Sequence, residues 1–353
     1  IVVISTPIFK FGPTGTAGYS GLEHLAWLIA TGLAKLGHEV SLIAPDDSEC
    51  PGVTIIPIGP ERQVDEQMAY GGFPEVKEGD ILKRRKHIGY WQQLLQVDCV
   101  IDHTWCKWSY MLKAEGRLKA PILGVCHAPV NTMYQTLPPV DKPCIVCISQ
   151  DQANHFEALH SRAARVVRNG IDLDFYKPIG MPRSDRFLFL ARFSSIKGAD
   201  LAIEACLKAG VALDLIGDTS ITGEPEFLDK CRRMADGKQI RIVGGVTRGE
   251  TVWWYSQAHC LLHPNQRFRE PFGLAPAEAM ACEIPVACYN YGGMRETVRH
   301  GETGWLVNSQ DELVDVIKNC SIDEAMRKRC REQASLFSVD RMISRYEELC
   351  VEA

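Results

Sequence analysis

Residues 263–282 read His263-Pro264-Asn265-Gln266-Arg267-Phe268-Arg269-Glu270-Pro271-Phe272-Gly273-Leu274-Ala275-Pro276-Ala277-Glu278-Ala279-Met280-Ala281-Cys282. The short apolar run Cys260 to His263 just before it has strand length. A polar, proline-containing loop follows, and from about Gly273 the pattern is that of a helix rich in alanine. A strand that passes through a loop directly into a helix is one βα unit, and repeats of this unit build a parallel sheet.

The same alternation extends in both directions. The N-terminal half supplies strands near 1–6, 39–44, 53–58, 98–102, 121–126 and 144–148. Gly21 to Leu36 is predicted as a helix, with Leu22, Leu25, Ala26, Ile29, Leu33 and Leu36 on one face and Gly37 as its stop. The segment from Pro60 to Arg85 is polar and glycine-rich without a clear period, and is expected to be a variable loop with a helix beginning near Ile81. After Lys177-Pro178-Ile179-Gly180-Met181-Pro182, which has linker composition, a second set of strands begins: Phe187 to Ala191, Ala212 to Ile216, Ile240 to Val243, Cys260 to His263, Pro285 to Cys288 and Gly304 to Val307. Helices are expected at Ala199 to Ala209, Glu250 to Ala258 and Leu274 to Cys282. The fold class is therefore α/β, with two Rossmann-like domains of similar size, 1–178 and 179–337. Ligands of such sheets bind at the carboxyl ends of the strands, so two facing domains imply a cleft.

Composition narrows the function classes. The chain has 353 residues, 46% hydrophobic and 24% charged, which suits more than one core. A net charge of −5 without a basic stripe argues against a nucleic-acid partner. No apolar run approaches the roughly 18 residues of a transmembrane helix, and the chain opens on the buried-strand pattern Ile1-Val2-Val3-Ile4. The expectation is a soluble, cytoplasmic protein for which only peripheral membrane contact remains open. Most of the 14 cysteines sit in apolar contexts and are expected to be free buried thiols. Cys144 and Cys147 have C-x-x-C spacing, but they lie in a strand-like run with no second pair, so a core strand is expected there and not a metal.

The chemistry concentrates at two strand ends. The helix starting at Gly273 offers free N–H groups and a dipole to an anion. Glu270 precedes that terminus and Glu278 lies about one and a half turns into the helix. A carboxylate accepts from vicinal hydroxyls, so two of them flanking a phosphate site suit a nucleotide sugar, one for the hexose and one for the ribose. Two solvated glutamates on a capped helix are the plain alternative. The second strand end, Phe187 to Ala191, is followed by Arg192 and then by Lys197-Gly198. A departing nucleoside diphosphate gathers negative charge, which a guanidinium, an ammonium and helix amides stabilise without a metal. Taken alone, Arg-x₄-Lys is equally an exposed pair.

At these residues the chain resembles the retaining glycosyltransferases of family 4, which have the GT-B fold of two facing Rossmann-like domains. Glu270 to Glu278 resembles that family's E-x₇-E motif in its EPFGL context. Arg192 and Lys197-Gly198 match its diphosphate-binding pair, and Gly292-Gly293 with Glu296 match its GGxxE turn. Asn169-Gly170-Ile171-Asp172 resembles the NGID turn before the interdomain link. Phe337-Ser338-Val339-Asp340 opens what resembles the terminal helix, about 338–353, that crosses back to the first domain. Gly15, Gly18 and Gly21 resemble the glycine-containing loop that meets the donor phosphates, and His127 falls where the family places a histidine facing donor sugar and diphosphate. His103 stands in the corresponding place after the preceding strand, where structural and functional roles suit it equally. The short chain and the NGIDLD turn look most like the branch with avilamycin-type transferases that modify small molecules.

The resemblance implies a hexosyltransferase that retains anomeric configuration, with a nucleotide-sugar donor, here expected to be UDP-glucose, and a small-molecule or glycan acceptor. His127, Arg192, Lys197 and Glu270 would be catalytic, and Gly21, Phe272, Gly273, Leu274 and Glu278 would bind the donor. No cofactor or metal is expected, and Asp172-Leu173-Asp174, which spells the metal motif of another glycosyltransferase fold, is read as coincidental. Three departures stand out. Glu283 replaces the glycine of the usual AMACGxPV, the loop before Glu270 carries Gln266, Arg267 and Arg269, and the first loop has Ser20-Gly21 in place of adjacent glycines. A dinucleotide oxidoreductase is disfavoured by the absence of G-x-G-x-x-G after the first strand, and a P-loop nucleotidase by the absence of G-x₄-G-K-[ST]. A nucleotide-sugar epimerase and a non-catalytic nucleotide-sugar-binding protein share the fold and remain as alternatives.

Overall fold

The computed structural model describes residues 1–5, 10–12, 21–57, 96–104, 108–130, 144–219 and 224–353. The loop carrying Gly15 and Gly18 and the 60–85 stretch with its expected helix from Ile81 lie outside the described residues. The chain divides into two units, Ile1–Arg168 with Asp340–Ala353, and Asn169–Val339.

The first unit is built on a seven-stranded sheet. Its strands are β1 (Val2–Ile4), β2 (Ser41–Ala44), β3 (Thr54–Pro57), β4 (Val100–Asp102), β5 (Ile122–Cys126), β6 (Cys144–Cys147) and β7 (Arg165–Val166), in the order β3-β2-β1-β4-β5-β6-β7. All six pairings are parallel. The continuous burial of β1, β4 and β5 is what a strand covered on both faces requires. Strand order reverses between β1 and β4, so the carboxyl ends of these strands frame the switch point at which doubly wound sheets bind ligands.

Helix α1 (Gly21–Lys35) buries Leu25, Ala26, Ile29 and Leu33 as the sequence pattern predicts. Leu36 departs from that pattern, being 50% exposed. It follows the last helical residue, and Gly37 at φ 96° turns the chain away before another helical position can face the core. A Cβ on Gly32 would meet Ile343 at 2.0 Å, so glycine is what lets the terminal helix lie close against α1. That terminal helix, Val339–Glu352, is also held by His38 Nε2 2.8 Å from Glu347 Oε1. Cys147 is fully buried and aligned with Cys126 of β5. The cysteines of the described residues are free thiols.

The second unit repeats the plan with six parallel strands: β8 (Phe187–Leu190), β9 (Leu213–Ile216), β10 (Ile240–Gly244), β11 (Leu261–His263), β12 (Val286–Tyr289) and β13 (Gly304–Val307). Their order is β10-β9-β8-β11-β12-β13, with the switch between β8 and β11. Phe187, Phe189, Leu213, Leu215, Leu262 and Ala287 form the centre of its core. The helices that decide the site are Arg248–Gln257, Leu274–Ala281 and Glu324–Ser335.

The division falls at 168/169, earlier than the 178/179 boundary expected from composition. Local bonding explains the difference. The Ile171 amide donates to Phe337 O at 2.7 Å and Ile171 O accepts from the Val339 amide at 3.2 Å. Arg331 donates to Leu173 O at 2.7 Å and to Ala281 O at 2.6 Å, and Tyr176 meets Tyr255 edge to face at 6.3 Å. The NGID turn and the residues after it are thereby tied into the second unit. Asp172 serves that turn directly, its Oδ1 accepting from the amides of Asp174 and Phe175 at 3.1 and 3.0 Å.

Candidate active site

The loop after β11 gains its shape from close backbone contacts that only glycine permits. Gly273 has φ 82°, and a Cβ there would lie 2.3 Å from Met294 Cε. On Gly293 a Cβ would stand 2.0 Å from Pro271 O, so the Gly292-Gly293 turn sits flat on residues 270–272. The Gly293 amide donates to Glu270 O at 2.8 Å, and the Thr297 hydroxyl donates to Phe272 O at 2.8 Å. Phe272 is 2% exposed and edge to face with Phe337, so its ring belongs to the core and only its backbone is left for a ligand. From Gly273 the helix Leu274–Ala281 begins, with the Leu274 and Ala275 amides in the turn that has no intrahelical acceptor and Pro276 supplying none.

Lys197 reaches this loop from the other side of the switch point. It ends a short 3₁₀ turn, Ser195–Lys197, and is followed by Gly198 at φ 77°, where a Cβ would lie 2.4 Å from Pro264 O. The turn therefore touches the His263-Pro264-Asn265 backbone, and Lys197, only 8% exposed, places Nζ 2.5 Å from Glu270 Oε2. Asn265 Nδ2 donates to the same oxygen at 3.1 Å. Burial would push the Glu270 carboxyl up, but Lys197 and His263 outweigh it and hold the group well below the usual carboxylate range. Arg192 stands two residues past the end of β8 and is half-buried.

Glu278 has a different environment. Its Oε2 accepts from the Tyr255 hydroxyl at 3.0 Å, and Tyr176 adds a second hydroxyl. The Arg248 guanidinium stacks 4.4 Å over Phe175 and 5.5 Å over Tyr176. Burial pushes the Glu278 carboxyl up, and the opposing pull of Arg248 and the two tyrosines is too weak to cancel it. The two glutamates of one helix start are thus driven in opposite directions.

The charged loop residues also separate. Arg267 makes a two-point contact with the buried Asp200, 2.9 and 3.0 Å, and donates to Ser195 O at 2.9 Å. It braces the Lys197 turn. Arg269 lies 5.3 Å over the Tyr291 ring. Glu283 stands at φ 63°, the left-handed conformation that explains why the family pattern has glycine there.

In the first unit, Gly21 opens α1, and His127 follows the end of β5. His127 Nε2 lies 2.8 Å from Nδ1 of His103, with the two rings stacked at 5.1 Å. Asp102 anchors the turn that carries His103, accepting at Oδ1 from the Thr104 amide and hydroxyl at 2.8 and 2.6 Å and at Oδ2 from the Ser109 amide and hydroxyl. His103 is therefore the fixed partner of His127, which sequence position alone left undecided. Tyr255, Arg248, His263 and Asn265 were not singled out from sequence. His263 and Asn265 had a usable signal in their position at the end of β11.

Residues 180–337 match the family described as glycosyl transferases group 1, and residues 19–175 match glycosyltransferase family 4. The chain belongs to the glycosyltransferases of family 4. Among its relatives is a D-inositol 3-phosphate glycosyltransferase of Xylanimonas cellulosilytica, 24% identical over 93% of this chain and 90% of that one. Two solved structures share the GT-B fold. Anabaena Alr3699/HepE, in complex with UDP and glucose, has a TM-score of 0.74 at 18% identity and covers 100% of this chain and 99% of its own. AviGT4, involved in avilamycin A biosynthesis, has a TM-score of 0.68 at 21% identity and covers 100% of this chain and 98% of its own. Among the described residues no helix of this family 4 glycosyltransferase is long and apolar enough to cross a membrane, and no three His, Cys, Asp or Glu side chains gather to hold a metal.

Proposed function

We propose that this glycosyltransferase moves a hexose from a nucleotide-diphosphate sugar, UDP-glucose, to a hydroxyl acceptor with retention of anomeric configuration and without a metal. The observation that carries the reading is the Lys197–Glu270 pair, 2.5 Å apart beside the helix that starts after Gly273. A diphosphate placed against the Leu274 and Ala275 amides meets the positive end of the helix, with Lys197 and Arg192 as cations for the charge that grows on the leaving oxygen. Glu270 then accepts from hydroxyls of the hexose, and Glu278 from the ribose diol. In this scheme the acceptor attacks from the face that the leaving group vacates, and catalysis consists chiefly of positioning and charge stabilisation. For His127 the family resemblance alone supplies a role, contact with the donor's sugar and diphosphate.

The test is a thermal-shift series with UDP-, GDP- and ADP-sugars. A ligand at about a hundred times its Kd stabilises the folded protein by about 2.7 kcal/mol, which melting resolves readily. UDP-glucose should raise the melting temperature more than the GDP- and ADP-sugars. The reading fails if no nucleotide sugar shifts melting at millimolar concentration.

A further inference from the structure

Three donors converge on a single oxygen of Glu270. Lys197 Nζ stands 2.5 Å from Oε2, Asn265 Nδ2 3.1 Å and His263 Nε2 3.6 Å, while among the described residues nothing donates to Oε1. His263 and Asn265 are 4% and 3% exposed. Both nevertheless carry a buried polar atom without a hydrogen-bond partner, Nε2 of His263 and Oδ1 of Asn265. Such orphans are rare in a folded interior and call for an explanation. An ordinary core position at the end of β11 would carry an apolar side chain, as Leu261 and Leu262 do before it. At 3.6 Å the His263 contact is longer than a hydrogen bond.

We propose that His263 and Asn265 are positioning residues that grip Oε2 of Glu270 and so aim Oε1 at the hexose of the donor. The assignment rests on the nucleotide-sugar reading given above. Lys197 is the closest of the three donors. A bound diphosphate competes for that ammonium, and as the Lys197–Glu270 contact loosens, the carboxylate is left to the two donors behind it. Small rotation of the carboxylate toward His263 closes the 3.6 Å gap and gives Nε2 its acceptor. Despite its burial, the Glu270 carboxyl is held well below the usual carboxylate range by Lys197 and His263, so Oε2 is an ionised acceptor for all three donors.

The test compares His263→Phe, which keeps an aromatic ring but removes Nε2, with His263→Gln, which keeps a donor, and adds Asn265→Leu as an independent variant. Steady-state kinetics with UDP-glucose are read beside UDP affinity by calorimetry and the melting temperature. His263→Phe and Asn265→Leu should each lower kcat about tenfold, the effect of losing one charge-assisted hydrogen bond, with KM for donor and the Kd for UDP unchanged within about twofold. His263→Gln should recover most of kcat. The proposal is overturned if His263→Phe and Asn265→Leu turn over like the wild type, or if kcat, UDP affinity and melting temperature fall together and His263→Gln rescues none of them. A wild-type protein that consumes no nucleotide sugar is a different outcome, sinking the functional reading and taking this assignment with it.

Discussion

Replacing Glu278 with glutamine should stabilise the protein and weaken its donor binding at the same time. Burial pushes the Glu278 carboxyl up, more strongly than Arg248, Tyr176 and Tyr255 pull it down. A group raised on folding adds stability that is fully present below its unfolded value, about 4.3, and lost as pH rises through the folded value. Above the folded value the ionised carboxylate is therefore a cost to the folded protein. Glutamine carries no charge, and its carbonyl can still accept from the Tyr255 hydroxyl, now 3.0 Å from Oε2. Urea midpoints should accordingly favour Glu278→Gln at pH 7 to 8, and the advantage should vanish below about pH 4. The ribose contact behaves oppositely, because a charge-assisted hydrogen bond worth about 1.5–3 kcal/mol becomes a neutral one. The difference of about 1–1.5 kcal/mol should raise donor KM by about five- to tenfold while kcat changes little, since a contact far from the reacting bond is the same in ground and transition states. A variant less stable than wild type at pH 8, or one that loses kcat with KM unchanged, would refute the reasoning.

Glu270→Gln should show the reverse pH pattern. Its carboxyl is held down on folding, so it contributes stability above the unfolded value of about 4.3 that is lost as pH falls through the folded value. The variant leaves the Lys197 ammonium buried without its counter-ion and should be less stable at pH 7 by about 3 kcal/mol in urea titrations, with the gap closing in acid. Glu283→Gly relieves a left-handed residue whose side chain meets the Arg183 guanidinium at a long 3.5 Å, and should raise stability by about 0.5–1 kcal/mol; a loss of more than about 1 kcal/mol would count against strain at this position. Chelation should leave turnover unchanged, because Arg192, Lys197 and the helix amides supply the positive field, and activity restored only by magnesium or manganese would exclude that account.

Twelve strands were legible because each is a short, largely apolar run, and Ala199–Ala209 because Gly210 stops it, whereas β7, two residues long and half arginine, carries no such run. Other helices hide their buried faces. Glu324–Ser335 buries Arg327 and Gln333 beside Met326, Cys330 and Ala334, so a hydrophobic period is diluted, and Pro225–Met234 buries only Cys231. In the candidate site the spacing of Glu270 and Glu278 gave the helix start, yet their opposite electrostatics depend on residues distant in sequence. Lys197 lies 73 positions from Glu270, and Tyr255 lies 23 from Glu278. In the sequence Arg267 is only one of the charged residues of the loop before Glu270, and its role depends on Asp200, 67 positions away, which holds both arms of its guanidinium. Glu283 was visible as a departure from a family pattern, whereas its left-handed backbone is a property of the chain path after the helix.

The most direct measurement of the central claim follows both products of a reaction mixture containing the protein, UDP-glucose and a panel of hydroxyl acceptors, by liquid chromatography with mass detection and without added metal. The account predicts UDP and a hexosylated acceptor appearing in equal amounts, and both falling together in Glu270→Gln. Donor left intact with every acceptor, or donor converted to another nucleotide sugar with no acceptor gaining a hexose, would contradict it.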